Sequence, residues 1–228
     1  MSLHEPAYKP PLHNGLDILY RDTYLIAVNK PSGLLSVPGR GDDKQDCMIS
    51  RIQLEYPDAL TIHRLDMETS GILLVARSKQ SQREMGKLFE KRQVEKTYIA
   101  VVEGELNETS GEINLSLSAD WPNRPRQKVD MENGKTARTH FQKQHYDPNT
   151  QTTRVILTPT TGRSHQLRVH MAAMGHAIAG DRLYSINKHR HKYTRLLLHA
   201  TKMRFIHPHT GEKILIECRE TFDLTGKQ

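Results

Sequence analysis

Three segments of the chain combine charged and aromatic side chains at spacings that could carry out chemistry. They are residues 63–71 (HRLDMETSG), 96–100 (KTYIA) and 161–170 (TGRSHQLRVH). In the first segment the carboxylate of Asp66 lies two residues from Arg64, in a turn that leads into an apolar strand. A carboxylate that stays ionised in a pocket can act as a nucleophile or as a base. Each segment alone also fits a structural role: a turn or a surface ion pair for Asp66, strand packing for Tyr98, and a capped helix for the third segment.

The patterns that usually hold nucleotides and metals are missing from the sequence. It has no dinucleotide-binding or phosphate-loop glycine pattern, no G-x-S-x-G and no H-E-x-x-H. His165 and His170 are five residues apart on a predicted helix and therefore point to different sides. The two cysteines, Cys47 and Cys218, supply neither a disulfide framework nor a metal quartet. We therefore expect no metal and no nucleotide cofactor, in a cytoplasmic protein without a membrane segment.

Positive charge is concentrated in one part of the sequence. The 228 residues contain 33 Lys and Arg against 26 Asp and Glu, which gives a formal net charge of +7. Residues 151–204 contain ten basic residues and a single acidic one, Asp181, so this segment alone exceeds the net charge of the whole chain. The excess fits either a solvated basic face or a surface that binds a polyanion, and we favour the polyanion.

The hydrophobic pattern predicts more strands than helices. Strands are expected at residues 17–22, 24–29, 72–76, 97–102, 196–206 and 214–218, with several alternating stretches between residues 111 and 157. Helices are expected over residues 42–55, after a Ser78 cap, and from a Ser164 cap through Met174. Short connections favour an α+β fold: one domain with a mixed, mainly antiparallel sheet and flanking helices. The predicted boundaries are an N-terminal arm at 1–15, a catalytic domain at 16–220 and a C-terminal tail at 221–228.

Together, in this order, HRLDxxTSG, KxYxA and TGRxHQLRVH resemble the RluA-type pseudouridine synthases, a family of RNA-modifying isomerases. The resemblance runs from about residue 19 to about residue 218. Two further stretches, 31–40 (PSGLLSVPGR) and 120–125 (DWPNRP), are closest to the RluA branch of that family. The family fold implied is a mixed, mainly antiparallel sheet with a central cleft. The family pattern begins near residue 16, so we expect no S4-type RNA-binding module, and the RNA contacts should come from the catalytic domain itself.

The resemblance also implies which residues are catalytic. Pseudouridine formation breaks the N1–C1′ bond, turns the detached uracil and rejoins it through C5, without redox chemistry or energy input. Asp66 corresponds to the catalytic carboxylate and Arg168 to the cation that keeps it ionised, while Tyr98 corresponds to the aromatic that lies against the target base. Whether Asp66 attacks C1′, attacks C6 or removes a sugar proton is left open by the sequence.

Four further residues are expected to bind the substrate. By resemblance, Arg64 fills the space that the target base vacates, and His63 lies beside it in the same motif. Leu198 belongs to an apolar run (Leu196 to Leu198) that matches a pocket-lining motif, although core packing explains such a run equally well. For Arg163, a phosphate contact and a structural hydrogen bond are both open.

The substrates that the resemblance implies are uridines in RNA stem-loops of the tRNA anticodon arm and of 23S rRNA. We expect a monomer, although the sequence does not constrain the oligomeric state. Two alternatives stay open from the sequence. A non-catalytic RNA-binding or ribosome-assembly factor could share the fold. A nucleoside hydrolase is a more distant alternative, since it would need a second carboxylate beside the scissile bond.

Overall fold

The computed structural model describes residues 8–186 and 192–222. In this part of the chain twelve strands and three α-helices follow each other in a mixed order, which confirms the α+β class. The helices are α1 (Met48–Glu55), α2 (Lys79–Glu90) and α3 (Gln166–Ala173). The strands are β1 (Ile18–Arg21), β2 (Leu25–Lys30), β3 (Leu60–Thr61), β4 (Ser70–Ala76), β5 (Glu95–Glu103), β6 (Ser110–Asn114), β7 (Leu117–Ala119), β8 (Gln127–Val129), β9 (Arg138–Asp147), β10 (Thr152–Pro159), β11 (Leu198–Ile206) and β12 (Lys213–Glu217).

Ten of these strands form one sheet, and β7 and β8 form a separate two-stranded ribbon. The main path of the sheet is β1-β2-β4-β11-β5-β10-β9-β6, with β3 paired to β4 and β12 paired to β11. Every strand pairing described is antiparallel except the one between β11 and β4. The prediction of a mixed, mainly antiparallel sheet is therefore confirmed.

Strand β11 joins the two halves of the sheet. It pairs with β5 on one side and meets β4 in parallel on the other, at His199 with Ser70 and at Ala200 with Gly71. Gly71 has φ +107°, and a Cβ atom there would collide with the backbone of Ala200. Only glycine fits a positive φ at such a close approach. The glycine that ends the HRLDxxTSG motif is thus needed where the two halves meet.

Each half of the sheet has its own hydrophobic core. One core packs β2 and β4 against α1 and α2, and β4 is buried along its whole length. The second packs β5, β9 and β10 against α3. Tyr98 on β5 contacts both cores, so the KxYxA motif lies where they meet.

The predicted helix starts need correction at two places. Helix α1 begins at Met48 rather than at residue 42, because Asp42–Lys44 form a separate 3₁₀ turn. Ser164 is not the N-cap of α3: the cap is His165, in the left-handed conformation with φ +55°. The side chain of Gln166 closes this end instead, since its Oε1 accepts hydrogen bonds from the Arg163 amide (3.0 Å) and the Thr161 hydroxyl (2.7 Å).

The predicted N-terminal arm lies partly within the described residues. Residues 8–15 contain no helix or strand, but Tyr8 is hydrogen-bonded to the body of the protein: its hydroxyl donates to the Asp46 carbonyl (2.9 Å) and accepts from the Leu35 amide (3.0 Å). Residues 1–7 and most of the predicted C-terminal tail (223–228) lie outside the described residues. Both boundaries stay predictions.

Candidate active site

Asp66 lies in a tight turn immediately before β4. The Thr69 amide donates to the Asp66 carbonyl at 3.1 Å, which closes the turn. On the N-terminal side, Ser36 exchanges two hydrogen bonds with the backbone of Leu65, at 2.7 and 3.0 Å. The loop is therefore fixed on both sides of the carboxylate, and the side chain of Asp66 stays 26 % exposed.

A buried lysine also stabilises the turn that carries Asp66. Lys30, at the end of β2, is fully buried, and its ammonium donates to the carbonyls of Pro31 (2.9 Å), Leu34 (2.6 Å) and Met67 (3.0 Å). Burial lowers the pKa of Lys30 to about 7, opposed by the nearby negative charges of Asp66 and Glu68. Lys30 thus links the PSGLL segment to the residue that follows Asp66.

Arg168 lies between two carboxylates. Its guanidinium is 4 % exposed and makes a bidentate pair with the fully buried Asp181, from Nε to Oδ2 (2.7 Å) and from Nη2 to Oδ1 (2.8 Å). Its remaining terminal nitrogen, Nη1, lies 3.6 Å from Oδ2 of Asp66. Burial opposes the charge of Arg168, but the hydrogen bonds and charges of Asp181 and Asp66 outweigh it and raise the pKa of the guanidinium. The Arg168 guanidinium therefore lies beside both carboxylates, Asp181 and Asp66.

Tyr98 completes the central group. Burial, together with the negative charge of Asp66, raises the pKa of its hydroxyl. The hydroxyl has no hydrogen-bond partner within residues 8–186 and 192–222. Tyr98 is therefore close enough to Asp66 to be affected by its charge, and its hydroxyl makes no fixed polar contact among these residues.

The ring of Tyr184 also lies against Arg168. Its ring centroid is 5.2 Å from the guanidinium carbon of Arg168. The Tyr184 hydroxyl accepts from the Gln127 amide (2.7 Å) and shares a hydrogen bond with His165 Nδ1 (2.7 Å). Burial raises the pKa of Tyr184 to about 12, so the phenol stays neutral.

The structure brings the three predicted catalytic residues together, whereas the four predicted substrate-binding residues differ in their placement. Arg64 is exposed and has no ion pair in the described part of the chain. Arg163 is exposed, and its Nε donates to the Thr136 carbonyl at 3.1 Å, which is the structural hydrogen bond considered above. Leu198 is buried in the core that Tyr98 also contacts.

His63 does not fit the predicted substrate contact. Its Nε2 accepts a hydrogen bond from the Leu74 amide at 3.0 Å, and its ring stacks on Phe89 with centroids 4.9 Å apart. Burial lowers the pKa of His63 to about 3, which keeps the ring neutral and able to accept. His63 anchors the HRLD loop to β4, so a positioning role fits better than a substrate contact.

Sequence reasoning missed Asp181 and Lys30 as parts of the site. Asp181 carried a signal, because it is the only acidic residue in the basic segment 151–204. Lys30 carried a weaker one, as a lysine at the end of an apolar strand and just before Pro31. Neither signal indicated the partner that each would meet in the fold.

Two other kinds of feature are absent from the described residues. No group of three or more His, Cys, Asp or Glu side chains is arranged to hold a metal ion there. No helix in that part of the chain has the length and apolarity required to span a membrane.

Comparison with known proteins identifies the class. The family model for RNA pseudouridylate synthase matches residues 24–173, which include Asp66, Tyr98 and Arg168. The chain belongs to this family of RNA-modifying isomerases. Family membership favours a catalytic synthase over a non-catalytic RNA-binding factor.

Among curated relatives, the chain is 47 % identical over 215 residues to the dual-specificity RNA pseudouridine synthase RluA of Escherichia coli K12, covering 94 % of this chain and 98 % of the relative. It is 48 % identical over 205 residues to the RluA of Yersinia pestis, covering 90 % and 99 % of the two chains. Among solved structures, it is similar to human RNA pseudouridylate synthase domain containing 1, with a TM-score of 0.78 and 27 % identity over 93 % of this chain and 86 % of the other.

Proposed function

We propose that the enzyme isomerises uridines in stem-loops of the tRNA anticodon arm and of 23S rRNA, with Asp66 as the catalytic carboxylate. The observation that carries this proposal is the pairing of Asp66 with Arg168, which is itself held by Asp181. The names of the bacterial relatives, which describe dual-specificity RNA pseudouridine synthases, support two RNA substrates. The resemblance of the motifs to the RluA type supports the tRNA and rRNA stem-loops.

The reaction divides among the three central residues. The Asp66 carboxylate acts as nucleophile or base while the N1–C1′ bond breaks and uracil is released in the site. The Tyr98 ring supports the flat face of the detached base and leaves it free to turn, because a stacking contact does not fix orientation within the plane. The new bond joins C5 to C1′; the C5 proton leaves to solvent and N1 acquires a proton, so atoms balance without a cofactor.

The target base must leave its stack before it can reach Asp66. Extrusion is cheapest from a loop, where bases are already partly unstacked. Arg64 lies two residues from Asp66 and keeps its guanidinium exposed, which suits it to occupy the vacated space. Arg163 is exposed beside α3 and suits a phosphate contact with its remaining N–H groups. Leu198 is buried in the core that Tyr98 contacts, and this position would suit it to line the apolar side of the base pocket.

Tritium release from RNA labelled with [5-³H]uridine tests the catalytic assignment. We expect the wild-type chain to release tritium from transcripts of a tRNA anticodon arm and of 23S rRNA. Asp66→Asn should abolish release and leave RNA binding within about twofold, because the side chain keeps its shape while it loses its charge and exchanges one acceptor oxygen for a donor. The matched control is Asp58→Asn, an acid-to-amide change at an exposed ion pair with Arg77, which should behave as wild type.

Three results would contradict the proposal. Full release by Asp66→Asn would remove Asp66 from the chemistry. RNA binding by the wild-type chain without release would indicate a binding factor, and free uracil among the products would indicate a hydrolase. We also propose that the enzyme acts as a cytoplasmic monomer; a dimer mass in light scattering at working concentration would refute the monomer.

A further inference from the structure

The two-stranded ribbon of β7 and β8 exposes the only tryptophan of the chain. Trp121 lies in the connection between the two strands and is 68 % exposed. The guanidinium carbon of Arg124 lies 3.2 Å from the centroid of the Trp121 ring. A buried tryptophan contributes more to the stability of a fold than most residues do. Because Trp121 is largely exposed, it makes little of this contribution here. One face of the ring is covered by a cation and the rest is open to solvent.

The charge around Trp121 is positive. Residues 117–130 contain Arg124, Arg126 and Lys128 against two acids, Asp120 and Asp130, so the ribbon keeps a net positive charge. Both carboxylates accept hydrogen bonds from nearby residues: Asp120 Oδ2 from the Asn123 side-chain amide (2.9 Å), and Asp130 from the Ser118 hydroxyl (2.9 Å) and the Asn133 backbone amide (2.9 Å). An exposed aromatic ring among arginines and a lysine is the arrangement by which proteins hold single-stranded nucleic acid.

The ribbon is joined directly to the active site. The Gln127 amide, at the start of β8, donates to the Tyr184 hydroxyl, and the Arg126 guanidinium carbon lies 5.5 Å from the centroid of the same ring. Arg168 packs against that ring as well, at 5.2 Å, and Arg168 pairs with Asp66. An RNA loop that delivers a uridine to Asp66 therefore passes close to the ribbon.

We propose that the β7–β8 ribbon is a second RNA-contact surface, on which a loop base flanking the target uridine stacks on the open face of Trp121. Arg124 supports the ring from its other face, and Arg126 and Lys128 contact phosphates of the same loop. This inference rests on the proposed function and adds to it the part of the protein that selects a loop over a duplex. Base pairing and stacking inside a duplex hide the face that Trp121 needs.

The single tryptophan makes the test direct, because the tryptophan emission of the full-length chain, excited selectively over tyrosine, comes from Trp121 alone. The Asp66→Asn chain would be titrated with a labelled anticodon stem-loop and with a fully paired duplex of equal length. We expect the stem-loop to quench the emission and to protect it from acrylamide, and the duplex to do neither. In the same background Trp121→Ala should weaken stem-loop affinity about tenfold or more, and Trp121→Phe should restore most of it. The control is Leu54→Ala, an apolar side chain 75 % exposed on α1, which should leave affinity unchanged.

Two results would overturn the proposal. The first is saturating stem-loop binding, read by anisotropy of the labelled RNA, with unchanged emission and equal affinity for Trp121→Ala. The second is equal quenching by stem-loop and duplex, which would show that the ribbon contacts phosphates without stacking on an unpaired base. Tritium release by the wild-type chain is measured separately, so either result leaves the catalytic assignment standing. A wild-type chain that binds RNA without releasing tritium would instead refute the proposed function alone.

Discussion

Replacing Asp181 with asparagine should damage both stability and catalysis, since this residue holds the arginine that faces Asp66. The Asp181 carboxylate accepts two hydrogen bonds from Arg168, at 2.7 and 2.8 Å, and two more from the amides of Leu183 and Tyr184, at 2.9 and 3.2 Å. Asparagine keeps the size of the side chain, but it replaces one acceptor oxygen with a donor and removes the charge.

The size of the effect follows from burial. Asp181 is fully buried and Arg168 is 4 % exposed, so water cannot replace the lost partner. Removing one member of a buried ion pair costs about 3–5 kcal/mol, and the acceptor oxygen that the asparagine side chain retains places the expected loss near the lower end, at about 3 kcal/mol. Arg168 would then have only Asp66 as a charged partner among the described residues, and its guanidinium would move toward that carboxylate. A displacement on the order of 1 Å at a catalytic group costs about 100-fold in rate.

The assay combines urea unfolding with single-turnover tritium release at saturating enzyme. Asp46→Asn is the matched control, because Asp46 makes the same bidentate pair with Arg51, at 2.7 and 2.8 Å, and neither residue pairs with Arg168 or Asp66 within the described residues. Asp46 is 44 % exposed, so we expect a loss of only about 1 kcal/mol and an unchanged rate. Asp181→Glu should recover part of the rate if the charge near Arg168 is what matters.

The reasoning would be refuted if Asp181→Asn turned over at the wild-type rate, whatever its stability. It would also fail if Asp46→Asn and Asp181→Asn lost activity equally. That result would indicate general destabilisation in place of a specific effect on Arg168.

Two further predictions concern the residues that hold the HRLD turn. Lys30→Met should lower the free energy of unfolding by about 2 kcal/mol, because the buried carbonyls of Pro31, Leu34 and Met67 lose their hydrogen-bond donor. Urea unfolding at pH 7 measures this loss, and an unchanged unfolding midpoint would contradict the prediction. His63 has its pKa lowered to about 3 in the folded protein, against about 6.5 when unfolded, so the unfolded chain binds more protons in that interval and stability falls as pH drops from 6.5 toward 3. The fall between pH 7 and pH 5 should be smaller in His63→Gln, and equal slopes for the two chains would refute the assignment.

Local patterns were sufficient to predict those elements whose stabilising contacts are close in sequence. The β1–β2 hairpin, the buried strand β4 and helix α2 with its Ser78 cap are of this kind, and Ser78 Oγ does accept from the Ser81 amide at 3.1 Å. The predicted start of α3 is wrong because its closing contact comes from the Gln166 side chain, which reaches back over a left-handed residue. A preference for serine at N-caps carries no information about such a contact.

The arrangement of the active site could be predicted from local patterns even less than the start of α3. Physical reasoning left Asp66, Tyr98 and Arg168 as three separate residues with ordinary structural explanations, and only the family resemblance grouped them. Their proximity depends on strand β11, which lies between β4 and β5 and pairs with both, through contacts that span about 100 to 130 residues of chain. The bidentate contact between Arg168 and Asp181 depends on the geometry of the loop after α3, which neither charge nor periodicity indicates.

The structure shows that the basic segment 151–204 offers fewer free cations for RNA than its charge count suggested. Four of its cations face carboxylates: Arg154 with Glu220, Arg168 with Asp181 and Asp66, Lys202 with Glu217, and Arg204 with Glu95. Paired cations release few counterions when RNA binds, so they contribute little to the salt dependence of affinity. Phosphate contacts should come instead from exposed cations without such partners in the described residues, among them Arg64 and Arg182, and from the β7–β8 ribbon. Each contact contributes about 0.7 to the slope of log affinity against log salt on a single strand. Lys202→Gln should therefore leave that slope unchanged, whereas Arg182→Gln should lower it by about one contact.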